Sequence, residues 1–352
     1  MLDKRPHWGK VAVPAFPKEF AVPLNQRIVL DTRPAERVSP ANFRFVEDTI
    51  GDPGPGEVLV RHHYLSLDPY MRGRLSEAKS YAKPQELGAT MGGGTVGEVI
   101  ASNNSRFKAG DFVAGMGGWQ LYALSSGADL RVVDARTIPL QAYLGPLGMP
   151  GVTAWYGLNK IIAPKAGETV VVSAATGAVG AVVGQLAKLA GARTVGIAGG
   201  PEKCAYATSE LGYDVCVDHK SPRFAEEIKA ALPGGIDGLF ENVGGEPFAQ
   251  CLRRLNDFAR LAICGLIASY EGPVTTLPDM RLFLVRRIKV EGFIVSDHLP
   301  LWPEALGELV AHAAAGRLRW RETVRDGLEN TPHALVELLH GGNFGKMLVK
   351  VV

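Results

Sequence analysis

No apolar run in the 352 residues approaches the roughly 20 that a membrane-spanning helix needs. The opening stretch, MLDKRPHWGKVAVPAF, lacks the long apolar core of a secretory leader, so no leader is expected. Cysteine is scarce. Cys204, Cys216, Cys251 and Cys264 are scattered without framework spacing or a C-x-x-C pair, which argues against a disulfide scaffold and a thiolate zinc site. Charge of one sign is lacking too: 38 Lys+Arg stand against 36 Asp+Glu, for a net of +2. Neither nucleic acid nor an anionic membrane surface is therefore an expected partner. His62-His63 has no cysteine or carboxylate nearby at ligand spacing, and no G-x-S-x-G elbow occurs, so zinc hydrolase and serine esterase readings have no support. The expectation is a soluble, cytoplasmic, metal-free protein.

What is abundant is glycine, with 42 residues, together with 46% hydrophobic content, enough for two sizeable cores. The chain is organised around ETVVVSAATGAVGAVVGQLAKLAG, residues 168–191. Thr169 to Ser173 is a β-branched run that reads as a buried parallel strand. Gly177 and Gly180 follow, with Ala175 where the G-x-G-x-x-G fingerprint has its first glycine. From Ala178 to Ala190 the spacing of Val179, Val182, Val183, Leu186 and Leu189 predicts a helix. Strand, tight turn and helix in that order point to a dinucleotide site, because a pyrophosphate needs bare backbone N–H groups at a helix N-terminus.

The chain around this stretch divides into two textures. Residues 1–24 carry Pro6, Pro14, Pro17 and Pro23 and read as a loose extension. From Gln26, short strands between Pro/Gly turns (58–62, 95–100, 111–114, 120–123) predict a compact β-barrel-like domain. From Thr169, strands at 169–173, 193–198, 214–217, 236–240, 259–264 and 288–294 alternate with helices at 178–190, 201–211, 222–232, 246–255 and 301–315. That alternation predicts a doubly wound parallel sheet. The tail from Leu318 returns to strand-like pieces and is expected to rejoin the first domain. The division is 25–145 with 317–352 for the barrel, and 146–316 for the α/β domain.

The second strand of the alternation ends Gly199-Gly200-Pro201-Glu202-Lys203, without the acidic residue that accepts from an adenosine ribose 2′-hydroxyl. A lysine in the first turn of a helix is mildly unfavourable unless an anion faces it. The 2′-phosphate of NADP is such an anion; a solvated surface lysine is the alternative. The strand tips at Asn242 and Cys264 should face the cofactor, although Cys264 also fits a small buried hydrophobe. In the first domain, Pro69-Tyr70-Met71-Arg72-Gly73-Arg74 sets a phenol and two guanidiniums on a proline turn, and a purely structural tyrosine is the other reading.

Taken together, LSLDPYMRGR (65–74), LGMPGVTAW (147–155), AATGAVGAVVGQLAKLAG (174–191), AGGPEKC (198–204), FENVGG (240–245), CGLIASY (264–270), EGFIV (291–295) and GGNFGK (341–346) resemble the zinc-independent medium-chain dehydrogenase/reductases. Within them the match is to the branch of leukotriene/prostaglandin reductases, plant alkenal reductases and bacterial curcumin reductases. The resemblance implies a GroES-like catalytic domain interrupted by a Rossmann domain, a homodimer, and NADPH-dependent reduction of the C=C bond of α,β-unsaturated ketones or aldehydes. It implies pyrophosphate contacts from Ala175, Thr176, Gly177, Ala178, Val179 and Gly180. It assigns the 2′-phosphate and adenosine side to Gly199, Lys203 and His219. Asn242, Cys264, Tyr270, Phe293, Ile294, Val295, Asn343 and Gly345 would complete the cofactor cleft, with Pro69 and Tyr70 at the nicotinamide and substrate end. Val285 stands where some relatives have a tyrosine, and Tyr270-Glu271 where Tyr-Asn is common. Tyr70 is the expected catalytic residue, donating to the carbonyl oxygen or relaying the proton, with a ribose hydroxyl or water as alternatives. Quinone reduction and a non-catalytic NADPH-binding role are the competing functions.

Overall fold

The computed structural model describes residues 23–274 and 280–352. Of the extension read over residues 1–24, residues 1–22 lie outside the described residues. Short runs rich in β-branched and aromatic residues form β1 (Leu24–Leu30), β2 (Phe43–Thr49), β3 (Val58–Ser66), β4 (Thr95–Ser102), β5 (Phe112–Gly115), β6 (Tyr122–Ser125) and β7 (Arg131–Val132). The strand expected at 120–123 begins only at Tyr122. Gln120 instead forms an isolated antiparallel bridge with Arg27, its side-chain amide donating to Gly117 O at 2.7 Å and its N–H to Gly118 O at 3.0 Å.

The α/β half comprises β8 (Thr169–Ser173), β9 (Arg193–Ala198), β10 (Val215–Asp218), β11 (Ile236–Glu241), β12 (Leu255–Ile263) and β13 (Lys289–Gly292). All pairings are parallel, in the order β10-β9-β8-β11-β12-β13. Every residue of β8 is buried, as a central strand covered on both faces requires. Helices Gly180–Leu189, Pro201–Ser209, Phe224–Ala231 and Gly245–Leu252 alternate with these strands. The order reverses between β8 and β11, and a crevice for ligand opens outside the carboxyl ends at such a switch point.

The chain then returns to its first sheet through β14 (Glu322–Asp326) and β15 (Lys346–Lys350), giving the order β14-β15-β3-β4-β5-β7 with β6 on β3. β15 runs antiparallel to β3, with Leu348 opposite Ser66. The architecture is a discontinuous GroES-like barrel domain plus a Rossmann sheet. The tail is not strand alone: Thr331–Leu339 is a helix whose Ala334, Leu335 and Leu338 share a core with Ile28, Leu30 and Met71. A buried ion pair fastens the return, with Lys346 Nζ 3.1 Å from Asp68 on the turn after β3. Lys346 also donates to the carbonyls of Leu67 and Met347, so its ammonium is well satisfied. Burial pulls that ammonium below its ordinary pKa, while Asp68 opposes the shift.

Candidate cofactor and substrate cleft

The glycine turn forms where β8 meets its helix. Ala174, at the strand tip, takes φ +49°, an unusual conformation for a residue with a Cβ. Its carbonyl accepts from the Gly177 N–H at 2.8 Å, which closes the turn. A Cβ added to Gly180 would stand 2.3 Å from Ala174 O, so only glycine lets the helix start this close to the strand. Ala175 and Thr176 are buried, whereas Gly177, Ala178 and Val179 are half-exposed and leave the turn open to a ligand. The Ala175 methyl supports the turn from below, 2.8 Å from where a Gly196 Cβ would be. Bare backbone at a helix start suits a pyrophosphate.

One strand across, cations gather at the tips of β9 and β10. A Cβ on Gly199 would meet His219 Nε2 at 2.9 Å and Lys220 Cε at 3.2 Å. Burial lowers the Lys203 pKa, and Lys220 lowers it further. Burial also lowers His219, Asp218 opposes this, and Lys220 and Lys203 add to the lowering. Three basic side chains that disfavour one another's charge form a site that an anion would stabilise. Asp218 does not fill that role, because it is spent on the backbone N–H groups of Gly200 (2.7 Å) and Lys220 (2.9 Å). Lys203 Nζ donates to Gly341 O at 3.0 Å, which brings the Gly341–Gly345 loop against this pole. There Asn343 donates to Gly345 O at 2.6 Å, and Gly345, at φ +79°, passes where a Cβ would lie 1.9 Å from Arg321 O.

At the switch point, Asn242 is structural as well as central. Its amide donates to Ser173 O and its backbone N–H to Ser173 Oγ, both at 2.7 Å. Buried Glu241 accepts from Ser173 Oγ at 2.9 Å and from the N–H groups of Val243 and Gly244 at 2.6 and 2.7 Å. Together they lock β8 to β11.

Beyond them a cleft of about 590 Å³ opens at the ends of β12 and β13. Cys264, Tyr270, Phe293 and Ile294 line it, with Val295 buried just behind. Burial pushes the Cys264 thiol up to about 12, so it is inert at neutral pH. Tyr81, Gly265 and His298 line it as well. Pro69 and Tyr70 are not among the lining residues. Tyr70 comes near through Tyr81, which interacts electrostatically with both Tyr70 and Tyr270. Burial, aided by Asp68, raises the Tyr70 phenol well above its ordinary pKa, with Arg74 opposing.

Sequence reasoning missed Tyr81, Lys220 and His298. Lys220 was findable, since it follows His219 at the tip of β10. Tyr81 was not, because it lies in irregular chain with no periodic or motif signal. Among the described residues no group of three or more His, Cys, Asp or Glu is placed to hold a metal ion.

Comparison with known proteins agrees with this geometry. A family model described as the N-terminal domain of oxidoreductase matches residues 26–133, and one described as zinc-binding dehydrogenase matches residues 178–311. The chain is 47% identical to the NADPH-dependent curcumin reductase of Escherichia coli (strain K12), over 93% of this chain and 97% of that one. It is 39% identical to the 2-alkenal reductase (NADP(+)-dependent) of Nicotiana tabacum, covering 85% of this chain and 88% of that one. The crystal structure of CurA from Vibrio vulnificus in complex with NADPH superposes with a TM-score of 0.89 at 45% identity, covering 93% of this chain and 99% of that one.

Proposed function

The chain belongs to the medium-chain dehydrogenase/reductases, in the branch of curcumin, prostaglandin and 2-alkenal reductases, and from that premise we propose that it reduces the C=C bond of α,β-unsaturated ketones and aldehydes with NADPH as hydride source. The observation that carries this reading is what gathers at the carboxyl ends of the parallel strands: an open glycine turn at 174–180, a cationic pole at Lys203, His219 and Lys220, and a cleft bordered by the phenols of Tyr81 and Tyr270.

Residue by residue, the turn from Ala175 to Gly180 offers backbone N–H groups to a pyrophosphate. Gly199 leaves room beside His219 and Lys220, where Lys203 meets the 2′-phosphate as a charge-assisted donor. Asn242 ties the ends of β8 and β11 together at the switch point, and Asn343 with Gly345 shapes the far wall. Cys264, Phe293, Ile294 and Val295 supply the apolar surface on which a nicotinamide lies, and they exclude water from it.

When the β-carbon of an enone is reduced, negative charge collects on the carbonyl oxygen. Tyr70 is the donor to that oxygen in this proposal, with Pro69 fixing the backbone just before it. Support comes from its electrostatics. A phenol raised this far stays protonated throughout the neutral range and is a better hydrogen-bond donor than acid. Water or a ribose hydroxyl then delivers the proton to the α-carbon. NADPH-oxidation assays with an alkenal and with a quinone test the reading. Turnover of the quinone alone would replace it with quinone reduction.

The same proposal takes the protein as a cytoplasmic homodimer. Among the described residues no strand pairs with the outer edge of β13, which supports self-association, with Leu284, Val285 and Val290 exposed by 78%, 66% and 45%. Uncrosslinked cysteines fit a reducing compartment. Among the described residues no helix is long and apolar enough to cross a membrane.

A further inference from the structure

Lys203 rises from the first turn of the helix Pro201–Ser209, where the partial positive charge of the N-terminus works against it. The far end of the chain compensates. Lys203 Nζ donates to Gly341 O at 3.0 Å, just past the helix Thr331–Leu339. That carbonyl is fixed in place, because Gly341, at φ +72°, caps the helix: its N–H donates to Leu338 O at 3.0 Å and the next N–H, of Gly342, to Glu337 O at 2.9 Å. A cation is favoured at this carbonyl-rich end as much as it is disfavoured at an N-terminus. The acid beside the lysine, Glu202, leans away to Arg321 Nη1 at 4.0 Å. An ammonium carries three donors, so the bond to Gly341 leaves capacity for an incoming anion.

Phe344, three residues after Gly341, is a second fixed point against the same side chain. Its backbone is pinned to β14, where Thr323 Oγ1 donates to Phe344 O and accepts from Phe344 N–H, each at 2.8 Å. Its half-buried ring meets Tyr206 edge-on, with centroids 5.1 Å apart and planes at 86°. Tyr206 lies three residues after Lys203 on one helix, so the two are neighbours on its surface. The Lys203 ammonium stands 6.0 Å from the centroid of the Phe344 ring, and the Arg321 guanidinium carbon 4.1 Å. A ring face attracts a cation within about 6 Å. The ring is therefore wedged against the lysine's helix and drawn to its charge, from a segment that belongs to the barrel tail.

We propose that Phe344 and the Gly341 carbonyl are positioning groups for Lys203: the barrel tail places the ammonium before the cofactor arrives, and through that placement it sets the preference for NADPH over NADH. A lysine side chain has much rotamer freedom to lose on meeting a phosphate, and one already placed loses less. This inference rests on the reading of Lys203 as the 2′-phosphate contact and adds the groups from the other domain that make that contact selective. Phe344 acts through Lys203 and has no part in the hydride step.

The test measures Kd by calorimetry for two matched pairs, NADPH with NADH and adenosine 2′,5′-bisphosphate with adenosine 5′-monophosphate. The proteins are the parent, Phe344→Leu, Phe344→Tyr, Lys203→Ala and the double variant of Lys203→Ala with Phe344→Leu. Phe344→Leu keeps apolar bulk at the seam but removes the ring, so it should raise the Kd of NADPH and of the bisphosphate about 3- to 10-fold, and those of NADH and the monophosphate less than about twofold. Phe344→Tyr keeps the ring and should stay within about twofold of the parent for all four ligands. In the Lys203→Ala background Phe344→Leu should add less than about twofold for NADPH, because the group it positions is gone. The ratio within each pair carries the result, since a general loosening of the seam moves both members alike. Equal weakening of both members by Phe344→Leu, or the full NADPH loss persisting without Lys203, would overturn the proposal. Failure of the 2′-phosphate reading itself shows elsewhere, in Lys203→Ala weakening NADPH and NADH equally, and it would take this inference with it.

Discussion

Replacing Lys203 by Ala tests the contact proposed to set cofactor choice. In the structure the Lys203 ammonium is half-buried, donates to Gly341 O at 3.0 Å and shares its pocket with Lys220 and His219. Loss of a charge-assisted contact to a phosphate costs about 1.5–3 kcal/mol, which is a factor of roughly 10–150 in Kd. Two effects place this site toward the lower end. Lys220 remains to face the anion, and its repulsion of Lys203 in the free protein is relieved by the substitution. The expected result is an NADPH Kd raised about 10- to 30-fold, with the NADH Kd changed less than about threefold. The lost Gly341 hydrogen bond should also cost about 0.5–1.5 kcal/mol of stability, so urea unfolding should accompany calorimetric titrations of both cofactors. Equal weakening of NADPH and NADH would show that Lys203 supports the fold without reading the phosphate, and the cationic pole would lose its assignment.

Three further outcomes follow from other parts of the molecule. Tyr70→Phe should lower kcat for enone reduction about 10- to 1,000-fold while leaving NADPH affinity unchanged, by steady-state kinetics and titration; a kcat within about twofold of the parent would reduce Tyr70 to a wall of the pocket. Gly180→Ala, which would put a Cβ 2.3 Å from Ala174 O, should cost about 1–3 kcal/mol in urea unfolding and weaken NADPH and NADH alike. His62 is buried with its pKa lowered from 6.5 to about 4, chiefly by burial, so between those values the unfolded chain binds the proton and the folded one does not. Stability is therefore full above about pH 6.5 and falls as pH drops toward 4. His62 alone contributes a loss on the order of 2 kcal/mol by pH 5, and His62→Gln should flatten that slope by one proton.

The sequence was most readable where structure is local. The six parallel strands fall within a few residues of their expected places because each is a short apolar run, β-branched in β8 to β10, set between helical patterns or turn residues. The strand, turn and helix at 169–189 were legible for the same reason, whereas the packing demand on Gly180, a Cβ 2.3 Å from Ala174 O, was not. The helix Thr331–Leu339 went unread although Ala334, Leu335 and Leu338 carry a helical spacing, because the strand-rich tail around it set the expectation. What stayed hidden is non-local. Asp68 and Lys346 meet across almost the whole chain, and nothing near either residue announces the pair. Likewise Tyr81 reaches Tyr70 and Tyr270 only because the barrel turn and the end of β12 are packed together. Lys203 was expected at the 2′-phosphate pole, yet its bond to Gly341 joins two segments that no motif spacing connects.

The central claim is the delivery of hydride to carbon in a conjugated C=C bond, and isotope tracing tests it most directly. The protein is incubated with NADPH deuterated at C4 on the transferred side and with an α,β-unsaturated ketone, and the product is analysed by mass spectrometry and NMR. The account predicts the saturated ketone, with one deuterium at the β-carbon and a solvent-derived proton at the α-carbon. An allylic alcohol with deuterium on the former carbonyl carbon would contradict it, as would an unreacted enone beside a quinone that the same protein reduces.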